Sequence, residues 1–339
     1  MPPINLEIVD KELSLLRRKI RTGSLIPLNH QAEQKKVFKD NTYDPTFRYR
    51  TYPHDMVAIV KRLLSLKTDH STFGKLLEQK RQEFLHLMDI IRNVGKVTPI
   101  TTHSIAVHGA PTKDLVKKAT AILRLDAEPE PLPHDTFDST KKFLDALLCK
   151  GLNWQVKKKD MILDAAISST NKIIYINKNR RFSDHDLKRL LVHEVGTHIM
   201  RHENAKLQSR RMFTYGFPHY LETEEGLAVY NEDAAGLLNN NILRKYAGRV
   251  LAVHLSLSNG FSTVYNSLLE HCTPKEAWSL TLRAKRGIGN TSQPGAYAKD
   301  HVYLNGYYRV KNYVIDGGKI NALYVGKIGV EHVPLLKKI

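Results

Sequence analysis

Leu190 to Asn204 reads LLVHEVGTHIMRHEN and sets His193, Glu194 and His198 in one apolar, helix-forming run. A zinc hydrolase needs neutral imidazole ligands, a third protein ligand, an open coordination position and a carboxylate that takes a proton from water. His193 and His198 offer the first two ligands, and Glu194 the base. Their spacing is HExxxH, one residue longer than the HExxH of common zinc peptidases. Residues four apart share a helix face, whereas residues five apart are rotated by about 140°. The helix is therefore predicted to deform between the histidines. Gly196 lies in that interval, and a π-bulge inserting one residue restores convergence.

Upstream, Ser183 and Asp186 have the spacing of a capping box, which fixes the helix start. Strands are predicted at Trp154–Asp160, Ala165–Ser169 and Lys172–Asn177, with SSTN as the turn before the last, and a helix at Lys141–Leu148. Downstream, LETEEGLAVYNED at 221–233 opens a second helical pattern with consecutive carboxylates. A Glu from a following helix completes His2Glu zinc sites, and both Glu224 and Glu225 qualify. Glu222 and Glu232 read as surface charges. His202 and His219 read as packed or exposed histidines flanking the site, with support of the metal ligands as the alternative.

Further out, DAEPEPLPHD at 126–135 cannot continue a helix or a central strand and reads as a linker. It separates a mainly helical region, 1–125, from a catalytic region, 136–339, the two packed as one unit. Within the first region, helices are predicted at Leu6–Ile20, over His54–Asn93 with a break near Thr68–Thr72, and from Pro111 to Leu123 with Pro111 as starter. Loops punctuated by Pro27, Asn29, Pro45 and Pro53 join the first of these to the second. Ser104–His108 reads as a strand. The expected class is α+β, mostly helical, with a small sheet.

With 339 residues, 42% hydrophobic and 25% charged, the chain can bury a core without staples, which excludes disordered and fibrous classes. Its 52 Lys and Arg against 34 Asp and Glu give a formal charge of +18, a field that favours anionic partners. No helix-turn-helix, zinc-finger or RNA-binding signature accompanies that charge, so nucleic acid is not an expected partner. Cys149 and Cys272 read as inert core residues of a protein in a reducing compartment. With no apolar run of signal or membrane-spanning length, the expected location is the cytoplasm and no membrane partner is expected.

HEVGTH at 193–198, TEEGLA at 223–228 and RAKRGIGNTSQPGAYAKDHVYLNG at 283–306 resemble segments of the microtubule-associated tyrosine carboxypeptidases and their bacterial relatives with a QEGLA motif. The resemblance reaches back to IPLNHQAEQKKVF at 26–38 and YDPTFRY at 43–49. It implies a zincin-like metallopeptidase core in which His193, His198 and Glu225 bind zinc and Glu194 is the catalytic acid and base. Glu225 is selected over Glu224 because the family's acid immediately precedes the glycine, here Gly226. Glu224 stands where the bacterial motif has Gln. The implied reaction is removal of a C-terminal aromatic residue, with the acidic tail of tubulin as the substrate of eukaryotic members.

A carboxypeptidase must also hold a free terminal carboxylate, a task for an Arg fork or a Lys. Arg283, Lys285 and Arg286 follow a helix opened by Thr273, Pro274 and Glu276 and stopped by Gly287, so their other role is to complement that helix's C-terminus. Tyr303 and Tyr307 in HVYLNGYY are candidate donors to a developing oxyanion. The alternative class is a regulatory or binding protein with a catalytically idle zinc site. Glu194 beside His193 argues against it, since a structural site has no use for a carboxylate that is not a ligand.

Overall fold

The computed structural model describes residues 4–50, 56–129, 139–161 and 164–339, and its architecture is mostly helical with one small sheet. Before the Pro-rich segment lie α1 (Leu6–Lys19), α2 (His30–Lys39), α3 (Met56–Ser65), α4 (Thr72–Arg92), α5 (Val97–His108) and α6 (Lys113–Leu123). Side-chain caps set several of these starts: Asn5 accepts from the Glu7 and Ile8 amides, Ser71 from Gly74 and Thr112 from Leu115. The break expected near Thr68–Thr72 separates α3 from α4.

Ser104–His108 is not a strand but the last turns of α5. The β-branched residues Ile105 and Val107 favour a strand in isolation. Helical spacing wins because Ile100, Ser104 and Val107 are the residues α5 buries. Pro111 precedes the Thr112 cap instead of filling the first helical position. Residues 126–129 are irregular and tied down where Glu128 accepts from the Asn240 amide at 2.9 Å. The remaining linker positions, 130–135, lie outside the described residues, as do Pro53 and His54.

After the linker, α7 (Ser139–Cys149) leads to β1 (Gln155–Lys159), β2 (Ala165–Ser168) and β3 (Ile173–Asn177). The sheet order is β1-β3-β2. β3 runs parallel to β1 from Gln155↔Ile173 and antiparallel to β2 from Ala165↔Ile176. Central β3 buries Ile174 and Ile176 fully, whereas β1 exposes Lys157, Lys158 and Lys159. Cys149 ends α7 exposed and Cys272 is half-buried, so neither is the core residue expected; Phe143 and Leu147 take the inner face of α7.

The site-bearing helices follow: α8 (Asp184–Leu190), a π-helical segment at Leu191–Ile199, α9 (Met200–Ala205), α10 (Met212–Tyr215) and α11 (Tyr220–Ala234). The chain continues through α12 (Asn240–Ser256), α13 (Phe261–Leu269), α14 (Pro274–Lys285), a short 3₁₀ turn at Ala298–His301 and α15 (Val302–Ile315), and closes with 3₁₀ turns at Ile320–Tyr324 and Val330–Lys338. One core joins the sheet to the motif helix: Trp154, Ile174 and Ile176 pack with Leu187, Leu190, Val195 and Ile199. Such a buried aliphatic side chain contributes about 1.5–3 kcal/mol, so the sheet fixes one face of that helix.

Other cores join the regions on either side of the linker. Leu13, Leu63 and Phe84 pack with Phe213, Phe217 and Ile328, while Leu115 and Leu123 of α6 pack with Val250 and Tyr307. Among the described residues, no helix is long and apolar enough to cross a membrane.

Candidate metal centre

The capping box at Ser183 and Asp186 starts α8, and from Leu191 to Ile199 the winding is π-helical. With i→i+5 bonding, residues five apart stack, and the rings of His193 and His198 converge to a centroid distance of 4.9 Å. The expected distortion is present and spans the whole motif. Gly196 is not its steric cause, because a Cβ there would meet only the Leu191 carbonyl, at 3.7 Å. Side chains from elsewhere hold the wide turn. Thr197 Oγ1 donates to the Val192 carbonyl at 3.0 Å and accepts from Asn231 Nδ2 at 2.7 Å. The Tyr324 hydroxyl donates to the Gly196 carbonyl at 3.1 Å.

α11 reaches the motif because it crosses α15 glycine on glycine. A Cβ on Gly226 would lie 2.0 Å from the Gly306 carbonyl carbon, so only glycine fits beside Glu225. Glu225 Oε2 then lies 3.8 Å from His193 Nε2 and 3.6 Å from His198 Nε2. One ligand atom from each of the three residues falls within 4.8 Å of the others. An ion bound tetrahedrally at about 2.0–2.1 Å spaces its ligands about 3.4 Å apart, so the donor set and its dimensions fit zinc.

The outer nitrogens are also engaged. His193 Nδ1 lies 2.7 Å from Glu232 Oε1, and His198 Nδ1 lies 3.1 Å from Glu224 Oε1. A carboxylate behind each ring fixes its orientation and leaves Nε2 for a metal. Those carboxylates are themselves held. Glu232 accepts from Arg189 at 3.1 Å and from the Tyr246 hydroxyl at 3.3 Å. Glu224 pairs with Arg201, whose guanidinium also donates to the Gly326 and Ile328 carbonyls. Glu232 is therefore a fully buried partner of His193, not the surface charge expected.

Electrostatics follow from this packing. Burial opposes the positive form of His193, but Glu225, Glu232 and Glu194 prevail and push its pKa up to about 10. Burial disfavours the Glu224 carboxylate, yet Arg201 and His198 hold it down to about 2. Glu225 is likewise kept well below the usual carboxylate range, against burial, by His193, Lys299 and His198. Glu194 is buried next to His193.

A family model described as microtubule-associated tyrosine carboxypeptidase matches residues 35–339. The chain belongs to that family. A mouse protein named microtubule-associated tyrosine carboxypeptidase 1 is 31% identical over 158 residues, which cover 44% of this chain and 33% of the mouse protein. A human protein named as an inferred tyrosine carboxypeptidase, MATCAP2, is 33% identical over 161 residues, covering 45% of this chain and 30% of its own. The matched segments thus cover about a third of the length of these relatives. The family match starts within α2, so most of the helices before the linker are part of the matched unit.

Within this family framework, the other predicted residues separate. Arg283 and Arg286 both pair with buried Asp300, the latter at 2.9 Å. Lys285 is fully buried and donates to the Ser256, Asn259 and Gln293 carbonyls. Its three donors are used on main chain, which corrects its reading as a substrate contact. Tyr307 donates to Asp233 at 2.6 Å and accepts from Lys311, which occupies its hydroxyl. Tyr303 instead lies within reach of the Glu225 charge; burial and then that charge raise its phenol, which stays protonated. His202 packs edge-on to Trp154 and the His219 ring contacts the Val107 carbonyl at 3.1 Å, whereas the Nδ1 atoms of His193 and His198 meet Glu232 and Glu224.

Sequence reading missed Glu232 and Lys299. Glu232 had a signal, since it follows Glu225 by two helical turns and so shares its face. Lys299 Nζ stands 3.9 Å from Glu225 Oε1, brought there by the turn before α15. Nothing local marks it.

Proposed function

We propose that this chain is a zinc-dependent metallocarboxypeptidase that removes a C-terminal aromatic residue from an acidic peptide or protein tail of the tubulin type. The observation that carries this reading is the convergence of His193, His198 and Glu225 with buried Glu194 alongside. The motif helix packed under a small sheet supports a zincin-like core. Bound by those three ligands, zinc supplies Lewis-acid polarisation of a carbonyl and acidifies water.

The chain's own residues do the rest. Glu194 takes the proton of the attacking water and passes it to the leaving amine. Glu232 and Glu224 keep both imidazoles aimed. The Tyr303 hydroxyl donates to the carbonyl oxygen as negative charge develops there. Lys299, Arg283 and Arg286 give one wall a positive potential, and the net charge of +18 draws an acidic tail toward it. The names of the relatives support microtubules as the setting, which implies a cytoplasmic location.

The test is mass spectrometry of acidic peptides ending in Tyr, Phe or Ala after incubation with zinc-loaded protein, with its Glu194→Gln form as control. Loss of one residue from the aromatic-ended peptides, absent in the control, is expected. Cleavage at internal bonds would contradict the carboxypeptidase reading. Stoichiometric zinc with no cleavage of any peptide would favour a regulatory role.

A further inference from the structure

The basic side chains around the centre differ in how their donors are used. Arg283 and Arg286 are spent on Asp300, Lys285 on three carbonyls, and Arg201 on Glu224 and two carbonyls. Arg189 leaves Nε without a partner but binds Glu232 through Nη1. Arg249, on α12, has a buried Nη1 with no hydrogen-bond partner among the described residues. Its guanidinium lies 4.2 Å from the ring centroid of Tyr303 and 5.0 Å from that of Tyr246. Those two rings stack at 5.7 Å with 12° between their planes.

We propose that Arg249 receives the free α-carboxylate of the substrate's last residue, a role that rests on the carboxypeptidase reading above. A guanidinium held against aromatic faces is pre-aimed, and leaving its N–H unmatched in a buried position costs free energy that a carboxylate recovers through paired hydrogen bonds. Its place suits the role. Tyr303, the ring it covers, lies about one turn before Gly306 on α15, and Gly306 packs on Gly226 beside Glu225, so Arg249 sits on the α15 side of the centre. Lys299, 3.9 Å from Glu225, shares the neighbourhood of Asp300 with Arg249, Arg283 and Arg286. Arg249 is a positioning and specificity residue; it is not assigned a proton transfer.

The experiment uses zinc-loaded protein and the peptide acetyl-Glu-Glu-Tyr, with a free C-terminus or as its amide. The parent protein is expected to cleave the free acid at least about 100-fold faster in kcat/KM than the amide, the penalty for leaving a buried charge unpaired. Arg249→Met should remove most of that preference, chiefly through KM, with zinc content and circular dichroism unchanged. Arg249→Lys, which keeps the charge and loses the fork, should fall between the two and covers the case in which the Met variant fails to fold. An acid-over-amide preference retained in Arg249→Met, or full activity in Arg249→Lys, would overturn the assignment and leave the peptidase reading standing. If the parent cleaves acid and amide equally, the carboxypeptidase reading itself fails, and this assignment with it.

Discussion

Two walls of the centre have opposite electrostatics. On the wall built by the π-segment and α11, the buried carboxylates of Glu194, Glu224, Glu225 and Glu232 surround two imidazoles, with Arg201 and Arg189 set behind them. On the wall built by α12, α14 and the turn before α15, Arg283 and Arg286 pair with Asp300, and the charges of Arg249 and Lys299 also act on it. The first arrangement favours a cation between the imidazoles, and the second favours an anion beside it. On the function proposed above, a metal ion and the carboxylate end of an acidic chain would satisfy one wall each. The difference teaches that the net charge of +18 matters here through its distribution, since the acidic wall persists inside a basic protein.

The sharpest break in this comparison is expected at Glu194, the acidic-wall carboxylate proposed as the base. Glu194→Gln should lower kcat by about 10⁴-fold with zinc content unchanged, because the amide keeps the shape and cannot accept a proton. Steady-state rates alongside metal analysis check it, and near-normal turnover would move the base elsewhere. Next in size is the helix crossing that brings Glu225 in. Gly226→Ala should destabilise by about 3 kcal/mol or more, since backbone must shift to admit the Cβ. Gly196→Ala, with ordinary contact distances, should change stability by less than about 1 kcal/mol. Urea unfolding of both variants separates a steric requirement from a tolerated glycine.

On α14, outside both walls, burial pushes the pKa of Lys285 down to about 8. Between that value and its unfolded value near 10.4, the unfolded chain binds the extra proton, so stability should rise with pH across this window, by at most about 3 kcal/mol. Thermal midpoints from pH 7.5 to 10.5 test this, and Lys285→Met should flatten the slope. An effect of comparable size is expected at Glu232→Gln, which leaves His193, His198 and Glu225 in place and loosens His193. Zinc affinity measured by chelator competition should fall about 10–100-fold. An unchanged affinity would show that the carboxylate behind His193 does not orient it.

What was legible in sequence was local. The Ser183 cap, the five-residue histidine spacing and the three strands announce themselves within short windows, because each is a backbone requirement of neighbouring residues. The choice of Glu225 over Glu224 came from the family motif, and the structure supplies a physical reason: Glu225 Oε2 faces both Nε2 atoms while Glu224 is drawn to Arg201 behind His198. The basic wall was legible only in part: Arg283 and Arg286 stand together in RAKRG, whereas Arg249 and Lys299 come from separate elements joined by packing. Lys285 misled because its spacing in RAKRG says nothing of which side of α14 is buried. Ser104–His108 misled because β-branched content spoke locally for a strand where burial on α5 decided for helix.

The most direct measurement is X-ray diffraction from zinc-reconstituted crystals, recorded above and below the zinc absorption edge. One anomalous peak per chain is expected, within about 2.1 Å of His193 Nε2, His198 Nε2 and a Glu225 carboxylate oxygen. A fully loaded protein with its peak elsewhere, with imidazoles turned to different faces, or with Glu224 in place of Glu225 would contradict the assignment of this centre.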